Sequence, residues 1–194
     1  MRALPRFLLS IFGWTLSVKD PGTGRCVVIF APHTSNWDFV VGILAAWGIG
    51  LKVHWIGKSS LFDSPLGPLF RFWGGIPVDR SQRGGMIEQM AERFAGTDDF
   101  ILAIAPEGTR SHTDHWKSGF WHIARAAQVP VVMAFIDYRR KQIGLGDSFL
   151  PGEDIETDFE QIRAFYADKR GRWREKESTI RPQERQPAKP ESSA

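Results

Sequence analysis

The chain has 194 residues, enough for one domain or a domain with short appendages. Apolar residues make up 42% and charged residues 24%, an ordinary globular balance, and 25 Lys+Arg against 22 Asp+Glu leave a net charge of +3. The charge is uneven: residues 1–20 hold three basic and one acidic residue, residues 171–194 six and four, and residues 21–170 sixteen and seventeen, which argues against a nucleic-acid binder built on one broad basic face. The single cysteine, Cys26, excludes an internal disulfide and so a stapled secreted scaffold. Placed before Val27-Val28-Ile29-Phe30, it reads as a buried structural thiol.

From the N-terminus, Arg2 and Arg6 accompany an apolar run from Phe7 to Val18. The run leads into Lys19-Asp20-Pro21 instead of a small-residue cleavage site, which argues against a signal peptide. Leu4, Phe7, Leu8, Ile11, Phe12 and Leu16 fall near helical spacing, predicting an amphipathic helix over residues 1–18. Two readings compete for it: packing on the protein's own core, or lying in a membrane interface. The uncharged run Phe39–Leu51 is short of the roughly 20 residues a bilayer requires. It reads as a core helix, and no transmembrane span is predicted.

Beyond the N-terminal helix, strands are predicted at 26–30, 53–57, 100–105 and 130–136, and helices at 37–48, 60–72, 84–95, 116–127 and 155–168. Alternation of this kind implies an α/β single-domain layered fold over residues 19–170, with a mostly parallel sheet flanked by helices. A turn and returning strand at 137–146 would make the sheet mixed. After Gly171 the apolar pattern stops and Pro182, Pro187 and Pro190 punctuate a polar stretch, so residues 171–194 are predicted to be a disordered tail.

Three turns after strands concentrate chemistry. Strand 26–30 runs into Ala31-Pro32-His33-Thr34-Ser35-Asn36-Trp37-Asp38, where Ser35 and Asp38 resemble a capping box. A carboxylate in the first helical turn can hold one imidazole nitrogen and leave the other free to take a proton. A capping aspartate and an incidental loop histidine are the alternative. Strand 100–105 ends in Ala105-Pro106-Glu107-Gly108-Thr109-Arg110-Ser111, which suits an anionic group approached by backbone N–H groups and a guanidinium, or serves only as a turn. Gly74-Gly75-Ile76-Pro77-Val78-Asp79-Arg80-Ser81 again puts an arginine after a short β-like run, where Asp79 and Arg80 could equally form an exposed ion pair.

Taken in order, His-x4-Asp, Gly-x-x-x-x-Asp-Arg, Pro-Glu-Gly-Thr-Arg-Ser and Val129-Pro130 resemble the blocks of the glycerolipid acyltransferase family, over about residues 25–140. That family includes the 1-acylglycerol-3-phosphate acyltransferases and related lysophospholipid acyltransferases. The resemblance implies that His33 is the general base and Asp38 its support. It implies that Arg80, Glu107, Gly108, Thr109 and Arg110 bind the acceptor's phosphate, and that Val129 and Pro130 lie on the acyl-donor side. Lys117 and Gly119 resemble a recurring Lys-x-Gly of the family; a helix-start lysine and a close-packing glycine are the alternative. The implied reaction moves a fatty acyl group from acyl-CoA or acyl-carrier protein, as co-substrate, to a lysophospholipid hydroxyl, by default that of lysophosphatidic acid. No cofactor, metal or nucleic acid is implied.

Both substrates live at or near a bilayer, which favours the interfacial reading of residues 1–18 and a cytoplasmic protein attached peripherally to the membrane. A non-catalytic lipid- or phosphate-binding module is the rival class, against which the intact His33/Asp38 pair speaks. His112, Asp114, His115 and His122 mimic a metal cluster without a recognised ligand spacing and read as loop residues. The eight tryptophans read as buried amphipathic aromatics or an interfacial belt rather than nucleic-acid stackers.

Overall fold

A computed structural model describes residues 2–20, 22–78 and 83–183, the side chains of Arg83 and Gly84 excepted. Helix α1 (Ala3–Ile11) leads into strand β1 (Thr15–Val18), then β2 (Arg25–Ala31), α2 (Asn36–Ile49) and β3 (Val53–Lys58). Next come α3 (Ser59–Phe62), α4 (Gly67–Phe72), β4 (Gly75–Val78), α5 (Arg83–Ala95) and β5 (Phe100–Ile104). The order closes with α6 (Gly119–Ala127), β6 (Val131–Asp137), β7 (Gln142–Phe149) and α7 (Ile155–Tyr166). The strands form one sheet in the order β1-β7-β6-β2-β5-β3-β4. Every pairing is parallel except β6 with β7, which form the expected returning hairpin.

The period-two pattern of β2 divides the core. Val27, Ile29 and Ala31 face the cluster made with Met90 and Phe94 of α5, Phe120 and Ile123 of α6, and Phe159 and Ile162 of α7. Cys26 and Val28 face the opposite side, among Ile101, Val132, Ala134 and Leu145. Burial pushes the Cys26 thiol up to about 12, so it stays protonated, as a packing residue should. On that second side α2 packs through Val41 and Ala45, with Leu9 of α1 and Trp14 beside them.

Three expectations need correction. The N-terminal helix does not run to residue 18: it stops at Ile11, the chain turns at Phe12-Gly13, and Thr15–Val18 pairs with β7 from Thr15↔Gln142 to Val18↔Leu145. The helix predicted over 60–72 is two short ones, because Asp63-Ser64-Pro65 interrupts it and proline cannot continue an α-helical ladder. Residues 171–183 are not a disordered tail. They lie along the body through main-chain bonds, with Trp116 N–H donating to the Arg181 carbonyl (2.8 Å), Thr179 N–H to Thr113 (3.0 Å) and Gln183 N–H to Trp116 (3.1 Å). Apolar content undervalued a segment held by its backbone. Residues 184–194 of that prediction lie outside the described residues.

Candidate active site

β2 lies between β5 and β6, and the chain leaves it toward β3 on one side and returns at β6 on the other. In open α/β sheets the crevice beyond the carboxyl ends of strands at such a point is where ligands bind. The His33 turn, following Ala31, and the Glu107 turn, following β5, both lie at that end.

The His33 turn is built by helix capping. Ser35 has extended backbone and is the N-cap of α2, its hydroxyl accepting from Trp37 N–H at 3.2 Å. Asp38 returns the interaction, its Oδ2 accepting from Ser35 N–H and from Thr34 N–H, each at 2.7 Å. The same oxygen lies 3.3 Å from His33 Nδ1. The capping aspartate and the imidazole partner are therefore one residue. Asp38 is fully buried, while the His33 side chain keeps 18% exposure. His33 Nδ1 is buried and completes no hydrogen bond, so its 3.3 Å approach to Asp38 Oδ2 is a close imidazole–carboxylate contact.

A further residue completes Asp38. The Tyr138 hydroxyl donates to Asp38 Oδ1 at 2.7 Å. Tyr138 follows β6 directly, and β6 pairs with β2 so that Phe135 sits opposite Ala31; one strand end delivers the histidine and its neighbour the phenol. Burial, and then the Asp38 charge, raise the tyrosine's pKa, keeping it a donor at neutral pH. Sequence reading missed Tyr138. The available signal was one of only two tyrosines standing where a buried strand ends.

Glu107 is nearly fully buried, and its Oε1 accepts from His33 N–H at 2.9 Å. Its carboxylate thus lies against the His33 turn and pins that turn's main chain. Burial raises its pKa to about 7, against the opposing effect of the His33 N–H bond, and Oε2 has no partner. A buried carboxyl shifted this way favours folding when protonated. That contribution is complete below the unfolded value near 4.5 and is lost as pH rises through about 7. Glu107→Gln, which mimics the protonated acid, should therefore gain about 3 kcal/mol over the wild type across this window. Thermal midpoints should show variant minus wild type increasing from pH 5 to pH 8; a constant difference would mean that Glu107 does not titrate there.

Gly108 holds φ +66°, and a Cβ there would meet the end of the Lys117 side chain at 2.9 Å, so glycine alone allows the lysine to lie over this turn. Lys117 N–H also donates to the Pro106 carbonyl at 2.8 Å. Thr109 is partly buried and Arg110 exposed. The structure thus gathers His33, Asp38, Glu107, Gly108, Thr109, Arg110 and Lys117 at one end of the sheet. Arg80 lies outside the described residues.

Val129 and Pro130 are not brought there. They precede β6, whose Val131 pairs with Val27 at the opposite end of β2, about 15 Å along the strand from the His33 turn. Val129 is buried in the core, and the Pro130 carbonyl accepts from Val27 N–H at 3.0 Å. Gly119 opens α6 with only ordinary contact to Met86. His122 lies on α6 and is not a loop residue, whereas the loop before it holds the C-terminal segment: His112 Nδ1 lies 2.7 Å from the Glu177 carbonyl, and Asp114 carries both His115 (2.6 Å) and Arg181 (3.1 Å).

Comparison with known proteins agrees with this architecture. No curated protein matches the sequence. Among solved structures, the 1-acyl-sn-glycerophosphate (LPA) acyltransferase PlsC from Thermotoga maritima shares the fold, with a TM-score of 0.53 and 19% identity over 86% of this chain and 73% of that one. The family model described as Acyltransferase matches residues 17–136, which run from within β1 to the penultimate residue of β6 and include the turns that carry His33, Asp38 and Glu107. The chain belongs to the Acyltransferase family.

Proposed function

We propose that the protein transfers a fatty acyl group from a thioester, acyl-CoA or acyl-carrier protein, to the hydroxyl of a lysophospholipid, with lysophosphatidic acid as the default acceptor. The observation that carries the reading is His33, whose Nδ1 lies 3.3 Å from Oδ2 of the fully buried Asp38 at the carboxyl end of β2. A thioester is already activated, so no covalent enzyme intermediate is required; the acceptor hydroxyl is the reluctant partner. His33 Nε2 takes its proton as the oxygen attacks the thioester carbonyl. The new C–O bond forms, the C–S bond breaks, and the departing thiolate recovers the proton from the imidazolium that Asp38 stabilises. Glu107 fixes the base through its backbone. Arg110, Lys117 and the Gly108 turn suit a phosphate that places the hydroxyl.

Purified protein assayed by mass spectrometry against a panel of lysolipids and acyl thioesters tests this directly. Acylated product from at least one lysophospholipid is expected. Binding of the lipids without any product would make the chain a non-catalytic lipid-binding module.

We also propose peripheral attachment to a membrane through α1. No helix among the described residues is long and apolar enough to cross a membrane. The helix packs along α2 through Pro5 and Leu9, yet leaves Leu4, Phe7, Ile11 and Phe12 at least 60% exposed. Own-core packing and interfacial contact thus use different sides of one helix. Val40 and Trp47 of the neighbouring α2, and Leu66, Leu69 and Phe72 around α4, are exposed as well. Apolar exposure on this scale suits a lipid surface. Deleting residues 1–18 would strip Leu9, Trp14 and β1 from the core, so substitution is the cleaner test. Serine at Leu4, Phe7, Ile11 and the adjoining Phe12 together should weaken binding to anionic vesicles about tenfold or more in a flotation assay, with thermal stability retained. Undiminished binding would remove α1 from the interface.

A further inference from the structure

The segment after α7 crosses the catalytic turn. Gly171 lies so close to Thr34 that a Cβ would come within 2.7 Å of its Cγ2 and 2.8 Å of its Oγ1. Trp173 N–H donates to Thr34 Oγ1 at 3.3 Å, and the Arg170 carbonyl accepts from Tyr138 N–H at 2.9 Å. Gly171 N–H donates to Glu177 Oε1 at 2.8 Å, closing the segment on itself. Arg172 stands between these anchors. Its side chain is exposed, its guanidinium lies 5.6 Å from the centre of the Trp173 ring, and its charge acts on the Tyr138 phenol that donates to Asp38. Among the described residues no carboxylate forms an ion pair with it.

A cation placed at a reacting centre without a carboxylate partner is suited to an anion that arrives with the substrate. Asp38 already accepts from two backbone N–H groups and Tyr138 besides facing His33, so it has no further need of Arg172. Arg110 and Lys117 follow β5 on one side of His33, whereas Arg172 stands on the β6 side beside Tyr138. A guanidinium forks onto two oxygens of a phosphate, fixing orientation as well as position.

We propose that Arg172 binds a substrate phosphate group beside His33, so that the C-terminal segment forms one wall of the substrate site. This rests on the acyl-transfer reading for the identity of the substrates. Two sources carry the chemistry: the headgroup of a lysophosphatidic acid acceptor and the phosphates of a CoA donor.

Steady-state kinetics of wild type, Arg172→Ala and Arg172→Lys separate them, with lysophosphatidic acid and palmitoyl-CoA varied in turn. Arg172→Ala should raise one KM about 10–100-fold with kcat within a few-fold of wild type, and lysine should recover part of the loss. A rise in the acceptor KM assigns the headgroup; a rise in the donor KM assigns CoA. Unchanged KM values, whether or not kcat falls, overturn the proposal, because a residue that merely supports Tyr138 would leave both untouched. Calorimetric titration with glycerol 3-phosphate and with CoA reads binding without turnover. At least tenfold weaker binding of one of them by Arg172→Ala upholds the phosphate site even if no lysolipid is acylated, which would defeat only the acyl-transfer reading. Failure of both compounds to bind wild type overturns the site itself.

Discussion

Replacing His33 with alanine should lower kcat for acyl transfer by about 10²–10⁴-fold, the usual contribution of a positioned general base, while the protein remains folded. Retention of the fold follows from how the turn is made. Its main chain is fixed by Glu107 accepting from the His33 backbone N–H and by Asp38 accepting from Thr34 and Ser35, none of which uses the imidazole. The residual rate would come from positioning of the two substrates. Comparison of kcat and both KM values, each substrate varied in turn with the other saturating, checks the result. Turnover within a few-fold of wild type would sink His33 as the base, and a matching fall in thermal midpoint would assign the loss to folding instead.

Asp38 should give the second large effect, and two substitutions separate its two duties. Asp38→Ala leaves the buried Thr34 and Ser35 N–H groups without acceptors, costing about 1–3 kcal/mol for each and lowering the thermal midpoint. Asp38→Asn can keep its carbonyl oxygen toward those N–H groups and turn its amide toward Tyr138, whose hydroxyl then accepts. Stability should be largely retained. What asparagine cannot supply is negative charge beside the imidazolium, so kcat should still fall about 10²–10⁴-fold. An Asp38→Asn enzyme with near wild-type kcat would make the residue a helix cap and nothing more.

Local features of the fold were legible because they are written locally. Alternation of strand and helix patterns predicted the layered sheet, and Ser35 with Asp38 marked the start of α2 within a residue. The motif turns at residues 33–38 and 105–111 fell together because parallel neighbours place their carboxyl ends on one side. What stayed hidden depends on distant pairing. Nothing within Thr15–Val18 announces a strand whose partner begins at Gln142. Tyr138 bonds Asp38 across 100 residues, and no spacing rule reaches that far. The segment after Gly171 buries little apolar surface; its hydrogen bonds run through main-chain groups that composition does not register. Val129-Pro130 shows the converse limit, since a motif's order along the chain does not say at which end of the sheet it lies.

The crossing of the His33 turn by residues 170–173 also bears on synthesis. Trp173 meets Thr34 across 139 residues of chain, so at 5–20 residues per second the ribosome finishes the histidine turn on the order of 10 s before the segment that covers it. Glu107 and Tyr138, which bond the His33 turn and Asp38, also precede Arg172 along the chain. The segment proposed to bind phosphate is therefore the last part of the site to be made, after His33, Asp38, Glu107 and Tyr138.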